Sequence, residues 1–330
     1  MAKNSLDSAF IRKVIKKYRV GELAAKPVKM EGDLNLNYRL RTNKGEFLLK
    51  YIQDKNYLPI FEYSGHLHEK LTAGGVPVPR MLKVKNPKGK IKYVHNSCIL
   101  YPYIDGNPKK TWTNAELKSL VANLGKIHAI MKNVKVPKSI KEKKDPYALG
   151  INIEYSKRNI IPKILKTKIG KRVKDTIKIT SYILTAGMHG YERLPKQITH
   201  NDLNDSNAIF KNNKNVGIID YALGYEAQIY DFAVMVYWFA FPWWHKKINF
   251  KRFETMVRFY NKVNRMDPQE KELFPYLLLR RSFLNLTLPF IFYFRGLDKK
   301  LFTKYLHANL RRNQALRRAI PRMASILRNI

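Results

Sequence analysis

Thr199-His200-Asn201-Asp202-Leu203-Asn204-Asp205-Ser206-Asn207, followed by Gly217-Ile218-Ile219-Asp220-Tyr221, is the stretch whose reading decides the fold. Reduced to residue types, it is a His-x-Asp turn closed by an Asn, a short polar hairpin through Lys211–Lys214, and an Asp ending an apolar strand. A solvated Asn/Asp-rich turn alone would be commonplace. Loop, hairpin and strand-terminal Asp in that order are much rarer. Phosphoryl transfer needs one carboxylate to accept a hydroxyl proton. It also needs an amide oxygen and a second carboxylate for the metal that bridges the nucleotide phosphates. Asp202 fits the first role, and Asn207 and Asp220 fit the other two. His200 buttresses the loop. Asp231, in Tyr230-Asp231-Phe232-Ala233, opens an apolar helix. It reads either as an ordinary first-turn acid or as an anchor for the catalytic loop.

The charge around this stretch is unusual for the chain. The 330 residues carry 63 Lys and Arg against 25 Asp and Glu, so 63 − 25 = +38, with a pI near 10.1. Fourteen basic residues against four acids lie within 135–178, and nine against none within 299–330. Residues 200–231 reverse the sign, with Asp202, Asp205, Asp220, Glu226 and Asp231 against Lys211 and Lys214. A local acidic cluster in a basic chain is what a divalent-cation site needs. The basic excess elsewhere fits either a polyanion partner or plain solvated lysine surface.

Composition limits the remaining classes. A hydrophobic fraction of 45% with 12% aromatics excludes a disordered chain, and this length accommodates one large domain or two lobes. One cysteine, Cys98, excludes an intramolecular disulfide framework and a Cys-rich zinc site, which points to a reduced, cytoplasmic setting. The longest apolar runs, Phe232–Trp244 and Phe283–Phe294, are about 12 residues each and contain Pro242 and Pro289, so no membrane span is expected. The N-terminus lacks the apolar stretch of a secretion signal.

Outward from the acidic cluster, the N-terminal third is strand-rich and the remainder helical. Ser5–Tyr18 has Phe10, Val14 and Tyr18 on one stripe and Gly21 after it, as a helix requires. Lys26–Met30, then Leu36, Tyr38 and Leu40, then Glu46–Ile52 read as strands, the last two joined at Asn43-Lys44-Gly45. Lys50 is a lone cation on an apolar strand face. A nucleotide needs such a cation, held by a helix glutamate. Glu62 and Glu69 on the predicted helix Leu58–Thr72 share one face and both qualify. Glu31–Tyr38, with its single glycine, is a weak candidate for a phosphate-covering loop. Val76–Leu82 and Lys92–Tyr101 read as further strands around Asn86-Pro87-Lys88-Gly89. A lobe boundary near residue 102 divides a nucleotide-binding part, 1–102, from a helical part, 103–330. The latter includes Asn114–Met131, Leu277–Phe294, Lys299–Leu327 and one β island, Ala208–Asp220.

With these residues in view, the chain resembles the aminoglycoside phosphotransferase and choline kinase superfamily, whose members have a protein-kinase-like fold. The resemblance runs from about residue 25 to 295. It rests on His200-Asn201-Asp202 with Asn207, Ile219-Asp220-Tyr221 with Asp231-Phe232-Ala233, the Lys50 strand, and Gly75-Val76-Pro77-Val78-Pro79. Within the superfamily it looks most like the homoserine kinase branch, through Asn35-Leu36-Asn37-Tyr38, Gly45-Glu46-Phe47-Leu48-Leu49, Leu58-Pro59-Ile60-Phe61, Tyr260 with Asn264-Arg265, and Glu272-Leu273-Phe274-Pro275. The resemblance implies an α+β, bilobal fold with a small antiparallel-sheet N-lobe and a larger helical C-lobe. It also implies ATP, magnesium and a small alcohol as acceptor, with Tyr101, Tyr103 and Ile104 joining Lys50 around the nucleotide. One departure stands in the loop: the family usually has glycine after His200, and here it is Asn201, a residue tolerant of unusual backbone angles. A second lies between Phe239 and Asn249, where the match is loose. Trp238, Trp243 and Trp244 cluster around it, and core packing explains them better than substrate stacking.

Three rivals remain. A protein kinase would need a long activation segment with an A-P-E-like anchor, and only ten residues separate Asp220 from Asp231. A pseudokinase would have lost one of Lys50, Asp202, Asn207 or Asp220. A nucleic-acid binder would use Lys135–Lys178 and the arginines of the C-terminal helix (Arg311, Arg312, Arg317, Arg318, Arg322, Arg328), with no recognised motif behind it. That helix also has an apolar face, so the plainer reading is a closing helix with a solvated basic side, kinked at Pro321. A membrane-surface role for it has less support.

Overall fold

The computed structural model describes residues 5–30, 35–141, 158, 161–221, 223–242, 248–294 and 299–330. The chain forms two compact units, Met1–Lys109 with Ala208–Ile219, and Lys110–Asn207 with Asp220–Ile330. The single cut drawn near residue 102 therefore becomes a cut at Lys109 plus a hairpin returned to the first unit.

The first unit is built on an antiparallel sheet. Strands β1 (Val28–Met30), β2 (Asn35–Thr42), β3 (Gly45–Ile52) and β6 (Cys98–Pro102) follow one another across it. Thr42 pairs with Gly45 at the β2–β3 turn, and Gly45 takes the positive φ of 126° that closes it. Helix α1 (Ser8–Tyr18), started by the Asp7 carboxylate on the Phe10 N–H, covers one sheet face. Ile11, Val14, Ile15 and Tyr18 pack there with Leu36, Tyr38, Leu40, Phe47 and Leu49. On the other face Ile52, Met81, Tyr93, Ile99 and Tyr101 form a second cluster beside Phe61 of helix α2 (Leu58–Ala73). Strand β3 is thus buried on both sides. The hairpin of β8 (Ala208–Lys211) and β9 (Lys214–Ile218) joins this unit through paired backbone bonds between Asn107 and Phe210 and the Ile218 N–H on the Pro77 carbonyl.

Two expected strands changed. Val76–Leu82 is no strand, although Val76, Val78 and Met81 are buried. Pro77 and Pro79 cannot donate to a ladder, and only Val84–Lys85 (β4) pairs, with Ile91–Lys92 (β5). Lys92–Tyr101 is broken in the middle, because Asn96 and Ser97 adopt left-handed φ of 49° and 61° and fold His95 back onto Cys98.

The second unit is helical. Helix α3 (Asn114–Met131) begins with a capping box between Thr113 and Glu116 and buries Leu117, Leu120, Val121, Leu124 and His128. Helices Lys168–Gly187, Gln228–Phe239, Phe250–Val263, Pro268–Phe294 and Lys299–Arg328 build the rest. Phe232 stacks on Tyr260 at 3.8 Å and lies 5.1 Å from Phe274, the centre of this core. A second β pair, absent from the sequence reading, joins β7 (Lys196–Thr199) to β10 (Gly224–Ala227). Four residues each, they are too short to show a period. The two longest helices run through Pro275, Pro289 and Pro321. Among the described residues no helix is long and apolar enough to cross a membrane. Residues 31–34 of the expected phosphate-covering loop, and Trp243 and Trp244, lie outside the described residues.

Candidate active site

Pairing of Thr199 with Gly224 frames the loop His200–Asn207. The chain turns at Asn201 with φ of 67°, a left-handed conformation that asparagine tolerates better than most residues. Gly224 makes room for it, since a Cβ there would sit 2.3 Å from Asn201 Nδ2. The loop is held from below by Asp231, which is fully buried in the first turn of Gln228–Phe239. Its carboxylate accepts the backbone N–H groups of His200 at 2.9 Å and Asn201 at 2.8 Å. His128 Nε2 lies 3.3 Å from the same carboxylate, while His128 Nδ1 is 2.9 Å from the Tyr260 hydroxyl. Asn264 in turn donates to that hydroxyl at 2.7 Å. Burial alone would raise the Asp231 pKa, but His128 and the backbone donor from His200 carry it below the ordinary carboxylate value.

Asp202 stands at the loop's crest, half-buried. Arg281, from Pro268–Phe294, donates to Asp202 Oδ1 at 2.7 Å and to the Asn201 carbonyl at 3.1 Å. Asn204 Nδ2 donates to Asp202 Oδ2 at 3.2 Å, and the Asp202 N–H to His200 Nδ1 at 3.2 Å. Burial pushes the Asp202 pKa above its ordinary value, Arg281 and His200 pull against it, and the negative charge of Asp220 adds to the rise. A carboxylate oriented by hydrogen bonds, with its proton affinity raised, is what a general base for an alcohol requires.

Asn207 donates its amide nitrogen to the Asp202 carbonyl at 2.8 Å, which leaves its Oδ1 as an acceptor. Ala208 pairs with Ile218, so the chain leaves for the hairpin at Asn207 and returns at Ile219–Asp220, where Asp220 has φ of 59°. Asn207 Oδ1 and the Asp220 carboxylate are hard oxygen donors that suit a magnesium-type cation, whose other ligands would be water and phosphate. No group of three or more His, Cys, Asp or Glu able to hold a metal occurs among the described residues.

Within the first unit Lys50 is 7% exposed, buried in the apolar face that the sequence assigned to it, with Nζ 5.9 Å from the Phe61 ring centre. The two glutamates left open as its partner have other engagements. Glu62 accepts the backbone N–H groups of Tyr93 and Val94, and Glu69 forms an ion pair with Lys83. Tyr101 is buried 6.1 Å from the His68 ring. Tyr103 is covered by the Arg39 guanidinium at 4.3 Å, and Ile104 packs over Gly217 of the hairpin.

Three residues of this constellation escaped the sequence reading. His128 lies on the buried face of α3 among Leu117, Leu120, Val121 and Leu124, where the helical spacing alone does not set it apart. Arg281 sits far from the loop in sequence within an apolar helix, where a buried arginine signals a partner carboxylate. Gly224 shows its purpose only when Asn201 is beside it.

A loop held by a buried aspartate, with Asn207 and Asp220 at the two ends of the hairpin, is an arrangement that suits a phosphotransferase of the small-molecule kinase class. The family model for APH, the phosphotransferase enzyme family, matches residues 26–248, and the chain belongs to that family. It is 22% identical over 272 residues to a homoserine kinase of Hyphomonas neptunium (strain ATCC 15444), covering 79% of this chain and 80% of that protein. Among solved structures it resembles an amicoumacin kinase in complex with AMP-PNP and Ca2+ (TM-score 0.67, 15% identity, 95% of this chain and 94% of that one). It also resembles a microcompartment-associated aminopropanol kinase (TM-score 0.68, 14% identity, 96% and 99%). A spectinomycin phosphotransferase in complex with ADP and spectinomycin aligns with TM-score 0.64 at 12% identity, over 95% and 99%.

Proposed function

We propose that this protein transfers the γ-phosphoryl group of ATP to a hydroxyl of a small molecule, homoserine or another amino alcohol. The observation that carries the reading is Asp202, oriented by Arg281 and Asn204 in a loop whose Asn207 keeps an amide oxygen free for a cation. In the transfer, the acceptor oxygen bonds to the γ-phosphorus as the bond to the bridging oxygen breaks. ADP leaves, and the hydroxyl proton passes to Asp202. Asn207 and Asp220 would hold magnesium, which would supply positive charge against the negative charge that develops during transfer. Lys50 is assigned to the nucleotide phosphates, with Tyr101, Tyr103 and Ile104 as nucleotide contacts. His200 shapes the loop, and Asp231 holds it through two backbone donors.

Thermal stability tests the nucleotide half of this reading. ATP with magnesium should stabilise the protein, and ATP with a chelator should not. Asp220→Ala should abolish the magnesium-dependent part; a shift that survives in that variant would sink the metal assignment. A magnesium-ATP turnover screen over homoserine, choline, aminoglycosides and sugars tests the other half. Transfer to an aminoglycoside is the alternative acceptor class, supported by similarity to phosphotransferases of that kind. Turnover of aminoglycosides alone would replace the amino-alcohol reading.

A further inference from the structure

One arginine in the second unit is buried away from the catalytic loop's own hydrogen bonds. Arg312, in the helix Lys299–Arg328, is 7% exposed, against the expectation of a solvated basic side for this helix. Its Nη2 donates to the carbonyls of Tyr237 at 2.8 Å and Phe241 at 2.5 Å. Its Nε and Nη1 are buried without a hydrogen-bond partner among the described residues, and none of the ion pairs there involves it. A guanidinium taken out of water normally has a carboxylate to compensate it. Here the surroundings add positive charge instead. Arg281 acts on Arg312 repulsively, and burial works to lower the Arg312 pKa. The nearest acid in electrostatic terms, Asp205, has a pKa raised by its own burial and is a weak counter-charge.

The position of this arginine matters as much as its missing partner. Trp238 is a shared neighbour of two guanidiniums, with Arg312 Cζ 5.0 Å and Arg281 Cζ 5.6 Å from its ring centre. Arg281 in turn touches Asp202 at 2.7 Å, and its Nε is also unpartnered. Three buried guanidinium nitrogens, two on Arg312 and one on Arg281, therefore lack an acceptor among the described residues, and Arg281 is the one in contact with Asp202.

We infer that the acceptor carries a carboxylate as well as its hydroxyl, and that Arg312 binds this carboxylate while the hydroxyl lies at Asp202. The inference rests on the phosphotransfer reading and narrows it, since a polycationic acceptor would meet like charge there. Nη2 is already committed to two carbonyls, so Nε and Nη1 each offer a charged N–H to such a carboxylate, from a guanidinium that stays protonated where a buried lysine would lose its proton readily.

The test uses matched acceptors that differ only by the carboxylate: homoserine and 3-amino-1-propanol, serine and ethanolamine, threonine and 1-amino-2-propanol. With wild-type protein and magnesium-ATP, kcat/KM should favour the carboxylate member of at least one pair by tenfold or more. Arg312→Gln should raise KM for that member roughly tenfold to a hundredfold, the size of a lost charged hydrogen bond. The decarboxylated partner should lose far less, and Arg312→Lys should recover only part. Preference for the decarboxylated members, or equal loss on both in Arg312→Gln, would overturn the inference. If neither member of any pair is turned over while magnesium-ATP still stabilises the protein, the carboxylate is refuted and nucleotide binding stands. If that stabilisation is missing too, the phosphotransfer reading falls with it. The wild-type comparison needs no variant, so it decides the matter even where Arg312→Gln fails to fold.

Discussion

In the proposed transfer Asp202 accepts the hydroxyl proton, and its surroundings set the pH at which it can do so. Because burial raises its pKa, turnover should fall on acidification at a higher pH than the ordinary aspartate value near 3.9 would place it. A pH–rate profile of kcat/KM checks this, and an acidic limb at or below that ordinary value would contradict it. Asp202→Ala should lose transfer by about 10²–10⁴-fold while nucleotide still stabilises the fold. Asp231 behaves oppositely. Its folded-state pKa is lowered, so its stabilisation is present above the unfolded value and lost as pH falls through the folded one. Asp231→Asn should therefore cost about 1–3 kcal/mol at neutral pH, from unpairing buried donors. In denaturant titrations the gap to wild type should close below about pH 4. A constant gap across that range would assign the loss to packing.

At the scale of elements, the decisive pairing is β7 with β10, because it fixes the loop that follows one strand and precedes the other. Gly224→Ala would drive a methyl into Asn201, whose left-handed turn aims the loop. Overpacking of this sort costs about 1–3 kcal/mol. The expected result is a larger fall in kcat than in thermal stability, and equal, small effects on both would show that the turn tolerates displacement. Helix α3 offers a control away from the chemistry. Thr113→Ala removes half of its capping box and should cost about 1 kcal/mol with kcat unchanged.

For the molecule as a whole, linkage sets the size of the nucleotide effect. ATP at a hundred times its dissociation constant should add about 2.7 kcal/mol when magnesium is present. Mass action of that kind is separable from the polyelectrolyte effect that the +38 charge invites. Binding of DNA or RNA that falls steeply with salt would report phosphate contacts alone, and no binding at physiological salt would remove that rival. The proposed magnesium site would account for the acidic exception at residues 200–231, and a single nucleotide does not call for 63 basic side chains. One of them, Arg312, now has an assignment of its own.

Much of the architecture was legible because its signals are local. The Phe10–Val14–Tyr18 stripe, the Leu36–Tyr38–Leu40 alternation and the Asn43-Lys44-Gly45 turn each state their structure within a few residues. The loop from His200 to Asn207 and the Asp220 that follows it were readable for the same reason: the chemistry needs those residue types at close spacing. Val76–Leu82 misled because burial mimics a strand pattern where prolines forbid the ladder. What the chain alone could not show was which distant side chains meet that loop. His128 reaches Asp231, Arg281 reaches Asp202, and Arg312 lies buried without a counter-ion among the described residues. Those partners are set by helix packing over long sequence separations, and a buried charge reveals its purpose only when its neighbours are in place.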